Sequence, residues 1–100
     1  MAKGYWIAQV DVRKPDGYAE YTKGLPDVLR KFGGRYVTRG GQTEVVEGKS
    51  RSRIVVLEFP TYEAALNCYR SPEYARLIAM RQASAEADLI VVEGYDGAQP

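Results

Sequence analysis

Residues 4–12 read Gly4-Tyr5-Trp6-Ile7-Ala8-Gln9-Val10-Asp11-Val12. Alternate positions Trp6, Ala8, Val10 and Val12 form a dry set, and Tyr5, Ile7, Gln9 and Asp11 a mixed one. That period of two predicts a half-buried strand. A strand with one dry face needs a covering layer, and the next segment supplies it. Pro15 suits a first helical turn, and Tyr18, Tyr21, Leu25, Val28, Leu29 and Phe32 recur at spacings of three and four, one apolar stripe. Pro26 removes a backbone donor and predicts a kink near Gly24, while Gly33-Gly34 provides a left-handed stop.

Working outward, Arg35 to Glu47 and Arg53 to Phe59 are rich in β-branched and aromatic residues and flank Gly48-Lys49-Ser50, which predicts a hairpin. Gly40-Gly41 predicts a bulge in its first arm. Thr61 caps a short second helix carrying Tyr62, Ala65, Leu66 and Tyr69, and Ser71-Pro72-Glu73 is a second capping signature. Tyr74, Leu77, Ile78, Arg81 and Ala85 share a face of the helix that follows, Leu89 to Glu93 closes with a β run, and Gly94 to Pro100 reads as a loose tail. No repeat or linker divides the chain, so residues 1–100 are expected to form one domain with an ordered core over about 4–94. The order predicts an α+β fold of ferredoxin-like type, βαββαβ, with helices on one face of a four-stranded antiparallel sheet.

Composition removes several functions. Fourteen basic residues stand against thirteen acids without a run of one sign, so no footprint for nucleic acid is expected. No stretch approaches the roughly 20 apolar residues of a membrane helix. Met1-Ala2-Lys3-Gly4 leads directly into a strand with no secretory pattern, and the single cysteine permits no internal disulfide, so a cytoplasmic protein is expected. The absence of histidine takes away the usual general base, metal ligand and proximal haem ligand together, so no metal and no cofactor are expected. Cys68 reads as a small hydrophobe on the second helix.

Helices on one face leave the other open, with Ile7, Gln9, Arg39, Ile54, Val56 and Glu58 expected there. That many β-branched residues exceeds what a monomer usually exposes, so a second copy is expected to cover them, sheet on sheet.

Gly4-Tyr5-Trp6-Ile7-Ala8, Gly33-Gly34-Arg35, Arg39-Gly40-Gly41, Glu58-Phe59-Pro60, Ser71-Pro72-Glu73-Tyr74 and the closing Ala87-Asp88-Leu89-Ile90-Val91-Val92-Glu93-Gly94 together resemble family of unknown function 1330. The likeness runs from about Gly4 to Gly94. It implies a dimeric α+β barrel and no established activity, and carries over no catalytic residue. The wider superfamily includes small monooxygenases, isomerases, decarboxylases and haem-linked enzymes, which supports only the expectation of a pocket.

Two groups could carry chemistry. A hairpin turning near Lys49 would bring Arg39 and Glu58 together across strands, either as an ion pair or as a site in which Arg39 holds a carboxylate or enolate oxygen and Glu58, its pKa raised by burial, moves a proton. Tyr69, Ser71, Tyr74 and Arg81 meet where the second helix ends and the third begins, and could rim a pocket for a small aromatic or carboxylated molecule. Ser71 also reads as a plain cap, Tyr69 and Tyr74 as core, and Tyr18 and Tyr21 as core. The sequence leaves two functions open: a cofactor-free enzyme or binding barrel for a small organic acid or enolisable compound, and a non-enzymatic, structural or stress-associated homodimer with a packed interior.

Overall fold

The computed structural model describes residues 2–100. Its elements are β1 (Gly4–Val12), α1 (Pro15–Phe32), β2 (Arg35–Arg39), β3 (Arg53–Phe59), α2 (Tyr62–Tyr69), α3 (Pro72–Ser84) and β4 (Ala85–Glu93). The strands form one antiparallel sheet in the order β2-β3-β1-β4, with β1 paired to both β3 and β4. This is the βαββαβ arrangement expected from the pattern. No helix among the described residues is long and apolar enough to cross a membrane.

The alternation in β1 does what its period requires. Trp6, Ala8 and Val10 are buried beneath the helices with Val55, Leu57 and Phe59 of β3. Trp6 is the hub of this layer. Its ring lies 4.9 Å from Tyr74 and 5.2 Å from Phe59, and its Nε1 donates to the Ala65 carbonyl at 2.8 Å, so the indole buries its surface without losing its polar bond.

Helix ends follow their caps. The Thr61 side chain accepts from the Ala64 amide and Ser71 from the Tyr74 amide, opening α2 and α3. At the end of α1, Gly33 takes φ 75°, and the Gly33 and Gly34 amides bond back to Arg30 and Leu29, the paired closure that a left-handed glycine permits. The helix runs unbroken through Pro26. Two other glycines in α1 have a packing role: a β-carbon at Gly17 would press on Ser84 and one at Gly24 on Leu77. These contacts are seven residues apart on both helices, so α1 and α3 approach closely along two turns.

Three expectations are corrected. The arm expected over Arg35–Glu47 is a strand only to Arg39, where Gly40 turns away at φ 69°, and residues 40–52 form an exposed excursion rather than a tight hairpin. Arg51 ties its return to the sheet through Asp11 and Asp88, both at 3.0 Å. The bulge lies at Val37, between Tyr36 and Thr38, not at Gly40-Gly41. There the Thr38 hydroxyl accepts from the Val56 amide at 3.0 Å. β4 begins at Ala85, directly after α3 with no loop, four residues before the expected Leu89.

Leu77 is fully buried and fills the slot that Gly24 leaves. Leu77→Ala should cost about 2–5 kcal/mol, measured as a lower midpoint in chemical denaturation with an unchanged slope.

Candidate functional site

The bulge decides which side of the sheet each β2 residue faces. Arg35 lies opposite Glu58, but beyond the extra residue Thr38 lies opposite Val56 and Arg39 opposite Val55. One inserted residue inverts the alternation. Arg39 therefore points to the helix side, not to the open face with Ile7, Gln9, Ile54, Val56 and Glu58. The expected Arg39–Glu58 pair does not form.

Glu58 instead accepts from Arg35 Nε at 2.9 Å and from the Tyr5 hydroxyl at 3.0 Å, on the open face. The Arg35 hydrogen bond, then that of Tyr5, holds the Glu58 carboxyl below the usual glutamate range. That is the reverse of the raised pKa a general base would need, and burial is not what governs it.

On the helix side Arg39 joins a cavity between α1 and the sheet. Trp6, Ala8, Val10, Val55 and Leu57 form its floor, Tyr18, Tyr21, Thr22 and Leu25 its α1 wall, and Tyr36, Arg39, Arg53 and Arg81 are its polar members, with Ala87 and Leu89 alongside. Its volume is about 30 Å³, room for one or two waters. Three arginines line it, and no aspartate or glutamate does.

Each arginine is held differently. Arg39 is exposed and stacks on Tyr36, 4.3 Å from the ring centroid. Arg53 lies 5.7 Å from the Tyr18 ring centroid and packs over Gly40, whose missing side chain leaves the guanidinium its place. Its Nε is buried and has no hydrogen-bond partner among the described residues, and the same holds for the Tyr36 hydroxyl. Arg81 is 7% exposed and forms no ion pair among the described residues. Its Nη1 donates to the Tyr74 hydroxyl at 2.8 Å, which in turn lies 2.7 Å from the Tyr21 hydroxyl. Burial opposes the Arg81 charge, and the neighbouring Tyr74, Tyr21 and Tyr69 hydroxyls together more than offset it. Burial also pushes the Tyr21, Tyr36 and Tyr74 hydroxyls up, Tyr74 the furthest.

Of the remaining expected residues, Arg81 lines the cavity, and Tyr74 stands behind Tyr21 as its hydrogen-bond partner. Tyr69 is half-buried and packs on Trp6 and Tyr74, at 5.8 and 5.4 Å, outside the lining. Ser71 is spent as a cap: its hydroxyl donates to the Cys68 carbonyl at 2.7 Å and accepts from the Tyr74 amide. Cys68 is fully buried, its thiol pushed up to about 12 by desolvation, which makes it a hydrophobe rather than a nucleophile. Tyr21, Tyr36 and Arg53 were not singled out as site residues. For Arg53 the sequence held a signal, because it shares the alternation of Val55, Leu57 and Phe59, and an arginine in the dry set of a strand is out of place unless something polar meets it.

Residues 3–95 match the family described as Domain of unknown function (DUF1330). The chain belongs to this family. No curated protein matches this DUF1330 chain in sequence. Its fold is similar to that of a protein of unknown function from Rhodopseudomonas palustris, at 20% identity and TM-score 0.76 over 99% of this chain and 85% of that one. A conserved protein from Bacteroides thetaiotaomicron, described as a possible oxidoreductase, is similar at 16% identity and TM-score 0.65 over 92% of this chain and 97% of that one. SnoaB, a cofactor-independent oxygenase from Streptomyces nogalater, is similar at 10% identity and TM-score 0.64 over 100% and 97%. At these identities the likeness is one of fold.

The lowered Glu58 pKa has a consequence for stability in this DUF1330 chain. Its folded value lies below the unfolded one, so its contribution is present above the ordinary glutamate range and lost as pH falls through the folded pKa. Glu58→Gln should lower the melting temperature at neutral pH, and the gap from wild type should close on acidification. A gap that stayed constant with pH would mean that the carboxylate charge is not what the site uses.

Proposed function

We propose that the chain binds a small organic acid in the cavity between α1 and the sheet. The observation that carries this reading is the charge of the lining: Arg39, Arg53 and Arg81 gather with no carboxylate among them, and two buried donors, Arg53 Nε and Tyr36 Oη, are unused. Buried cations and donors without partners are costly to a fold. A carboxylate supplies both the charge and the acceptors they lack. At about 30 Å³ the space takes a larger ligand only if lining side chains move apart, and the exposed Arg39 is the one that can shift outward while still meeting a carboxylate.

The likeness to SnoaB supports a second reading, chemistry on the bound acid without a cofactor. The lining offers cations and protonated phenols and no base, so it is fitted to stabilise an enolate oxygen rather than to create one. Such chemistry would depend on a substrate acidic enough to supply its own anion.

Thermal melting and calorimetry with small carboxylates, set against their neutral amides, test the first reading. At 100 times its dissociation constant a ligand stabilises by about 2.7 kcal/mol, a rise on the order of 10 °C in a domain of this size. Acids should bind, amides should not, and Arg53→Met should reduce the shift. Burial raises the Tyr21, Tyr36 and Tyr74 hydroxyls and arginine as a residue type keeps its charge across this range, so binding should be flat from about pH 6 to 9 and fall only as the ligand's own carboxyl is protonated, near pH 4. No response from any acid would favour the alternative, an interior that serves only packing.

We propose also that a second copy covers the open sheet face. The register sets Val56, Ile7 and Ile90 side by side across β3, β1 and β4, and Ile90 is 58% exposed. The flanking rows, Glu58–Tyr5–Val92 and Ile54–Gln9–Asp88, mix polar and apolar side chains around it. The single buried cysteine suits the cytoplasmic setting expected from the sequence. Ile90→Asp touches no core contact of the isolated chain, so it should leave the fold intact while light scattering reports a shift from dimer toward monomer. An undiminished dimer mass would place the contact elsewhere.

A further inference from the structure

The hydrogen-bonded chain at the inner end of the cavity fixes where its last proton goes. Arg81 has only protons to give, so Tyr74 Oη accepts from it. The remaining bond, between Tyr74 and Tyr21, could run in either direction. If Tyr21 donated, the Tyr74 proton would be left without an acceptor in a side chain that is 0% exposed, a loss of about 1–3 kcal/mol. If Tyr74 donates, Tyr74 is satisfied and the one unpaired proton belongs to Tyr21, which lines the cavity and can meet water or a ligand there. The second arrangement is the stable one. It leaves Tyr21 a free O–H at the cavity wall, made a stronger donor by the Tyr74 hydroxyl and the Arg81 charge behind it.

The lining thus holds two unlike sets of polar groups. One carries Arg39, Arg53 Nε and Tyr36 Oη, free cationic and neutral donors whose geometry suits a carboxylate. The other carries the Tyr21 hydroxyl, a neutral donor, with the Arg81 guanidinium beside it in the lining. Ala8, Val10, Leu25 and Val55 are among the apolar residues of the same lining. Resting on the organic-acid reading above, we propose that the preferred ligand is an acid bearing a second oxygen, a hydroxyl or carbonyl, across an apolar or aromatic body. Arg53 with Arg39 and Tyr36 holds the carboxylate, and Tyr21 holds the second oxygen.

The test is a matched set of probes, 4-hydroxybenzoate, benzoate and phenol, together with acetoacetate and butyrate as the aliphatic pair, titrated calorimetrically into the wild-type protein and the Tyr21→Phe and Arg53→Met variants. In each pair the acid with the extra oxygen should bind about tenfold more tightly, the equivalent of one good hydrogen bond. Tyr21→Phe should erase that advantage while leaving benzoate and butyrate unchanged, and Arg53→Met should weaken all the acids. A readout that needs no variant is the phenol of bound 4-hydroxybenzoate. Donation from Tyr21 backed by Arg81 favours its anion, so phenolate absorbance should appear about one pH unit or more below the free ligand. Equal affinities within both pairs, or an advantage that survives in Tyr21→Phe, would overturn the two-ended ligand and leave the acid site standing. Failure of every acid to bind would overturn both.

Discussion

The donation from Arg81 to Tyr74 at 2.8 Å is the contact on which the interior depends. It buries a full charge with no carboxylate to answer it, which is tolerable only where several oxygens converge on the guanidinium. The phenols come from different elements, Tyr21 from α1 and Tyr74 from α3, so the two helices must lie unusually close. Gly17 and Gly24 provide that proximity by giving up their side chains against Ser84 and Leu77. Tyr74 then presents its ring to Trp6, and the helix pair is keyed to the sheet through one aromatic contact. Remove the short approach of α1 to α3 and the charge, the phenol chain and the seat of Trp6 are lost together.

The sheet sorts charge by face. Asp11, Glu58, Glu86 and Asp88 lie on the open side, where Arg35 and Arg51 pair with them. Arg39, Arg53 and Arg81 gather on the helix side, where no acid lines the cavity. This segregation rests partly on one residue. Without the extra position at Val37, Arg39 would alternate onto the open face beside the acids, and the cavity mouth would lose its exposed cation. The bulge therefore links a local irregularity of β2 to the electrostatics of the interior.

Much of the fold was legible because its signals are local. The period of two in β1, the stripe along α1, the caps at Thr61 and Ser71 and the glycine stop at Gly33 all name their elements without reference to the rest of the chain. What was not legible is relational. A bulge at a β-branched residue carries no mark, while Gly40-Gly41 looked like one and proved to be the exit from the strand. The start of β4 was hidden because Ala83, Ala85 and Ala87 suit helix and strand alike, and α3 passes into β4 without a loop. For the site, Arg81 and Tyr74 could be named from helical spacing, but Arg39 was assigned a partner by a hairpin register that the excursion over residues 40–52 does not keep. Tyr21 could be read as core, and is; that its hydroxyl also ends a proton-donating chain depends on a neighbour 53 residues away.

Stability alone does not call for this interior. Apolar side chains of similar volume at Arg53 and Arg81 would remove an orphan donor and an unpaired buried charge, and such replacements in other proteins are often neutral or stabilising. A scaffold whose only task was to present the open sheet face to a second copy would have no use for cations on the opposite side. The arginines are instead what an anion requires, and Gly40, held at positive φ with the Arg53 guanidinium packed over it, gives up a side chain to seat one of them. The features that make the cavity a poor core are therefore those that the proposed acid site would use.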